Sequence, residues 1–143
     1  MTPTAGYSGT PLAKKLGIKP EHVVAVLQAP DGFAIDNLPP GVEVRHQARF
    51  PLDVIVSFHT RRADLAKRLP VLMKALPPDG GLWIAWPKRS SGVATDITED
   101  TIREVGLPTG MVDNKVCAID ETWSGLRLVL RKELRPGRTS AAG

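Results

Sequence analysis

The segment PLDVIVSFHTRRADLAKRLPVLMKALPPDGGLWIAWPK, residues 51–88, constrains the chain more than any other. Val54, Ile55, Val56 and Phe58 form a near-continuous apolar run of strand length, as expected where both faces of a sheet are covered. Leu65, Leu69, Leu72 and Leu76 then recur at helical spacing, and Arg61, Arg62, Asp64, Lys67, Arg68 and Lys74 fill most of the other positions. Pro70 lies inside this helix and predicts a kink, or a break after the first two turns. PPDGG ends the helix, and residues 82–86 are a second apolar strand. A strand, a crossover helix and a strand in one sheet make a right-handed parallel unit.

The rest of the chain can be arranged around that unit. Thr10-Pro11 offers a helix start, with Thr10 as cap and Pro11 in the first helical position, and Gly17 can close the short LAKKL helix in the left-handed conformation. Residues 22–29, HVVAVLQA, read as the first strand. Residues 32–38 could form a short helix, stopped by Pro39-Pro40-Gly41. VEVRH, residues 42–46, alternates and is short, the signature of an edge strand. After residue 88 comes the loop RSSGVATD, then a helix to about Val105, capped by Thr98 or Asp96 and ended by Gly106 and Pro108. Residues 112–119 and 126–132 read as two strands of a hairpin, with residues 120–125 between them. Residues 1–9 are expected to be flexible, residues 10–133 to form one domain, and residues 134–143 to be a disordered tail.

Composition narrows the function classes. A chain of 143 residues suffices for one domain with a real core. No apolar run approaches the roughly 18 residues a membrane span needs. The opening residues contain no apolar signal core, so the reading is cytoplasmic. A single cysteine, Cys117, excludes an internal disulfide and any cysteine-rich metal site. The net charge of +4 is spread along the chain, and aromatic residues do not alternate with basic ones, which speaks against a nucleic-acid platform.

Parallel strands followed by a terminal antiparallel hairpin resemble a shortened class I methyltransferase fold, a three-layer Rossmann-like sandwich of about six strands. LDVIVSF and LPPDGGLWIAW are similar to the fourth and fifth strands of those enzymes. The resemblance implies an S-adenosylmethionine site at a glycine-rich turn after the first strand, with an acid ending the second strand on the ribose. Here the turn is Gln28-Ala29-Pro30-Asp31-Gly32-Phe33, with one glycine and one proline, and the second strand ends in Arg45-His46-Gln47. Both departures argue against that cofactor, and the expectation is that the protein uses none. No GxxxxGK[ST] phosphate loop and no GxSxG elbow occurs. His22, His46 and His59 form no metal-binding spacing, so no metal is expected.

Ligands of open parallel sheets bind beyond the carboxyl ends of the strands. Among the loops at that end, Pro87-Lys88-Arg89-Ser90-Ser91-Gly92 has two cations, two hydroxyls and a glycine, the ingredients of an anion site. His59 and Thr60 would sit beside it, and Lys14, behind Tyr7-Ser8-Gly9-Thr10, could add a contact. Trp123, in the hairpin connection, is a candidate partner-binding anchor. Trp83 and Trp86, three apart in one strand, should point to opposite faces.

YSGTPLAKKLGIKPEHVVAVLQAP and WIAWPKRSSGVATDITEDTIREVGLPTGMVDNKVCAIDETWSGLRLVLR resemble a bacterial family of domains of unknown function, number three-zero-five-two, over about residues 7–133. The resemblance implies a small, stand-alone, cytosolic bacterial protein and brings no reaction or cofactor with it. The leading expectation is a non-catalytic binding or regulatory module whose partner is another protein or a second copy of itself. The alternatives are a binder or enzyme for a small anionic metabolite at residues 87–92, and a divergent methyltransferase.

Overall fold

The computed structural model describes residues 10–134, so the expectations for residues 1–9 and 135–143, including the contact from Tyr7 to Gly9, lie outside the described residues. Among the described residues six strands form one sheet: β1 (Val23–Leu27), β2 (Glu43–Arg45), β3 (Val54–Phe58), β4 (Gly81–Pro87), β5 (Met111–Ala118) and β6 (Trp123–Leu130). Their order across the sheet is β2-β1-β3-β4-β6-β5. The first four strands pair in parallel, whereas β4–β6 and β6–β5 pair antiparallel. β3 and β4 are the strands read from residues 51–88, and each is buried along its whole length.

Two apolar layers lie on opposite faces of this sheet. On one face α2 (Arg62–Lys74) and α3 (Glu99–Gly106) bury Leu65, Leu69, Leu72 and Ile102 against Ile55, Leu82, Ile84 and Trp86. On the other, α1 (Leu12–Lys15) and the segment joining β1 to β2 bury Ala13, Leu16, Ile18 and Ile35 against Val24, Val56 and Trp83. Trp83 and Trp86 thus point to opposite faces, as strand alternation requires. The indole N–H of Trp83 donates to the Leu16 carbonyl at 3.0 Å, which gives a fully buried ring the acceptor it needs and fastens α1 to the sheet.

Several local expectations are corrected. Residues 32–38 form no helix: Gly32 (φ 81°) and Asn37 (φ 60°) both leave the helical region, and the segment runs as turn and coil. The α1 N-cap falls on Pro11, which has no capping group, and not on Thr10. Pro70 does not end α2, which runs on for four more residues. Pro70 and Ala66, whose carbonyl loses its partner to the proline, are both exposed, so water can satisfy the freed group. α3 does end at Gly106, as expected, but that glycine stays right-handed, and the chain turns at Gly110 (φ 97°) after a short 3-10 segment. The hairpin is tighter than expected. The Asp120 carboxylate accepts from the N–H groups of both Thr122 and Trp123 at 2.8 Å, so Trp123 already belongs to β6 and pairs with Pro87.

Thr98 caps α3, its hydroxyl accepting from Thr101 N–H while the Thr101 hydroxyl accepts from Thr98 N–H. Asp96 instead accepts from Arg62 N–H at 2.6 Å and so caps α2, whose own N-cap residue, Arg61, offers no side-chain bond. Among the described residues no helix is long and apolar enough to cross a membrane.

Candidate functional site

The carboxyl ends of β1, β3 and β4 lie side by side and form the crest of the sheet. On the helix-covered side the crest is held by a polar chain. Ser57 and His59 project to the same face because they are two apart in an extended segment. His59 Nε2 lies 2.7 Å from Ser57 Oγ, and Nδ1 lies 2.6 Å from Asp64 Oδ2, in the first turn of α2. Gln28, left-handed at φ 59°, turns its amide across the crest and donates to the Phe58 carbonyl at 2.8 Å and to Asp64 at 3.1 Å.

Electrostatics fix the protonation of this chain. Burial pushes the His59 pKa down, and the bond to Asp64 only partly opposes it. The neutral imidazole therefore donates from Nδ1 to Asp64 and accepts the Ser57 hydroxyl at Nε2. Burial works against the Asp64 carboxylate too, but the bonds from Gln28 and His59 outweigh it and its pKa falls.

The atoms follow the order of a Ser–His–Asp relay, for which no motif is present in the sequence; a Ser-x-His pair on one strand face with an acid in the next helix turn is the signal that was available. As a nucleophile Ser57 is badly placed. It is 0% exposed, in β3 between Leu27 of β1 and Ile84 of β4. The chain satisfies buried polar groups and leaves the hydroxyl no approach for a substrate.

On the other face the crest is filled by three aromatic rings. Phe33 meets Phe58 edge to face at 4.9 Å, and Phe58 meets Trp123 in the same way at 5.0 Å. The N–H of Phe33 bonds to the Pro30 carbonyl and closes the turn that follows β1, whose apex, Asp31 and Gly32, is exposed. Beside these rings an open cleft of about 460 Å³ is lined by Thr10, Pro11, Phe33, Asp36, Asn37 and Asp120, a wall with carboxylates on it. At the end of β2, His46 Nδ1 lies 3.2 Å from the Val26 carbonyl, and Arg45 is paired with Glu43.

The candidate anion loop is ordered by its own backbone. Arg89–Ser91 form a 3-10 turn, and Gly92 closes it at φ 79°. The Ser91 hydroxyl donates to the Lys88 carbonyl and accepts from Val93 N–H, so it is already engaged. Among the described residues, the side chains of Lys88, Arg89 and Ser90 form no hydrogen bond or ion pair. Thr60 is brought close through its carbonyl, which accepts from the Thr95 hydroxyl and Asp96 N–H. His59 adjoins β4, its N–H bonding to the Ala85 carbonyl, but its ring is only 2% exposed and both nitrogens are taken. Lys14 is an exposed residue of α1 whose side chain forms no hydrogen bond to the loop. Trp123 is half-buried against Phe58. Cys117 is half-buried, and burial pushes its thiol pKa up, away from reactivity.

No protein-family model matches the sequence, and no curated protein matches it. Solved structures do match in fold. A SAM-dependent methyltransferase from Aquifex aeolicus superposes with a TM-score of 0.59 at 15% identity, over 82% of this chain and 86% of that one. TrmN from Thermus thermophilus superposes with a TM-score of 0.58 at 15% identity, over 84% of this chain but 47% of that one. A fibrillarin pre-rRNA processing protein from Methanococcus jannaschii gives 0.54 at 15% identity, over 87% and 70% of the two chains. The fold is therefore Rossmann-like and methyltransferase-like.

Proposed function

We propose that the protein is a non-catalytic Rossmann-like binding module whose ligand is another protein or a second copy of itself, and that it holds no adenosyl cofactor. One observation carries the reading. The crest where this fold class places its cofactor carries paired side chains of the protein itself, Gln28, His59 and Asp64 on one face and Phe33, Phe58 and Trp123 on the other, and the open cleft beside the rings is walled by the carboxylates of Asp36 and Asp120. A cofactor lying against the crest would have to shift packed rings or break the bonds that satisfy the buried His59 ring, and unpaired buried polar groups are costly.

A partner surface is offered at the β2 edge of the sheet. β2 is an edge strand, Val44 on it is exposed, and Phe50, in the segment that follows, is 59% exposed. Membership in the bacterial family of unknown function named above belongs to this proposal and rests on the two sequence segments.

Calorimetric titration with S-adenosylmethionine tests the cofactor half: no heat is expected, and saturable heat would overturn it in favour of a divergent methyltransferase. Light scattering and a pull-down from lysate test the partner half, with Phe50→Ser as the variant that should weaken association. A strictly monomeric protein with no enriched partner defeats it. The second reading, a small anion at residues 87–92, is favoured by the unengaged Lys88, Arg89 and Ser90. It requires an anion to raise the melting temperature in the wild type and not in Lys88→Ala.

A further inference from the structure

The amino end of the sheet holds a second concavity, away from the crest and on the face covered by α1. It has a volume of about 360 Å³. The cations on its wall are Lys15, Lys19, Lys115 and Arg127. Two carboxylates share the wall, Asp53 and Asp79, and one Asp53 oxygen already accepts Val23 N–H at 2.8 Å.

The arrangement of the cations is the informative feature. Arg127 of β6 pairs directly with Lys115 of β5 on one side and with Trp83 of β4 on the other. Like charges set directly opposite on neighbouring strands repel each other and are ordinarily avoided. Lys15 stands close to the same place, since its ammonium donates to the Ala118 carbonyl and Cys117 feels the charge of both Lys15 and Lys115. The Arg127 guanidinium packs against Gly81, where any Cβ would meet it at 2.5–2.9 Å, so the absence of a side chain at Gly81 leaves room for it. His22 adds a donor. Its Nδ1 accepts Lys19 N–H at 3.1 Å, which fixes the proton on Nε2. Converging cations with an N–H donor are the chemistry of a compact dianion.

We propose that this pocket binds a phosphate monoester, with Lys115 and Arg127 on the phosphoryl group and Lys15, Lys19 and His22 around it. The site is separate from the crest and from the loop at residues 87–92, so it stands or falls independently of the function proposed above. Inorganic phosphate is the probe, titrated against the whole protein with chloride balancing the ionic strength, and followed by melting temperature and calorimetry. Saturable binding with a rise in melting temperature is expected. Lys115→Ala and Lys19→Glu, both at exposed positions, should each weaken it at least tenfold, whereas Lys88→Ala should leave it unchanged. Absence of saturable binding overturns the proposal. So does binding that survives both pocket variants, or binding that is lost in Lys88→Ala.

Discussion

The two faces of the sheet are roofed by different means. One face carries α2 and α3, whose buried leucines and isoleucine repeat at helical spacing. The other carries a helix of four residues and a coil, fixed by single anchors such as the Trp83–Leu16 bond and the inward Ile18 and Ile35. A helical roof spreads its hold over many equivalent contacts and opens only as a unit. A coil roof depends on a few pegs and can open locally at lower free energy than global unfolding.

The largest effect expected from this difference is on the helical side. Leu69 is fully buried under α2, and Leu69→Ala should cost about 2–5 kcal/mol in urea unfolding, with the transition still single. A second transition for α2 alone would break the comparison. On the coil side, Trp83→Phe keeps most of the ring and deletes the N–H that the Leu16 carbonyl receives. It should cost about 1–3 kcal/mol. Hydrogen exchange should quicken first at the amides of Leu16 and Ile18, which bond to Leu12 and Ala13. A uniform loss of protection across the sheet would mean that the two faces open together.

The next difference is one of pH, and it belongs to the helical face. His59 has a folded pKa below its unfolded value of about 6.5. The folded state thus binds fewer protons, and stability present above the unfolded value is lost as pH falls through it, levelling off below the folded pKa. Asp64 is also lowered, from 3.8, so its contribution is lost only at still lower pH. Stability should therefore decline in two steps on acidification. His59→Gln should remove the first step, seen as a flat melting temperature between pH 7 and 5. Persistence of that step in the variant would assign it to another group.

The same contrast explains what could be read from the sequence. β3, α2 and β4 were legible because periodicity is a repeated signal, and Thr98 was legible because a capping residue acts on its own neighbours. The coil roof has no period. Gly32 and Asn37 each take a left-handed conformation that sequence suggests only weakly, and together they convert an expected helix into coil. The crest was hidden for a related reason. Gln28 and Asp64 are thirty-six residues apart, and their bond exists only because β1 and β3 are neighbours. His59 reads from sequence as a strand-end histidine open to a ligand, yet its burial is set by α2 folding back over it.

The smallest predicted effect probes the coil roof at a single dihedral angle. Gly32 sits at φ 81°, and a Cβ built there meets nothing within 4 Å. Gly32→Ala therefore adds no clash with a neighbour, and its cost is that of holding an L-residue in the left-handed region, about 1 kcal/mol. If the coil is a real roof over Val24, Val56 and Trp83, that cost should appear in full as lost global stability, because the segment must keep its path to cover them. If the segment instead relaxes to another path at no cost to the core, the melting temperature will not move. The face would then be covered by α1 alone, and the comparison drawn between the two faces would have to be redrawn with a bare patch in place of a pegged one.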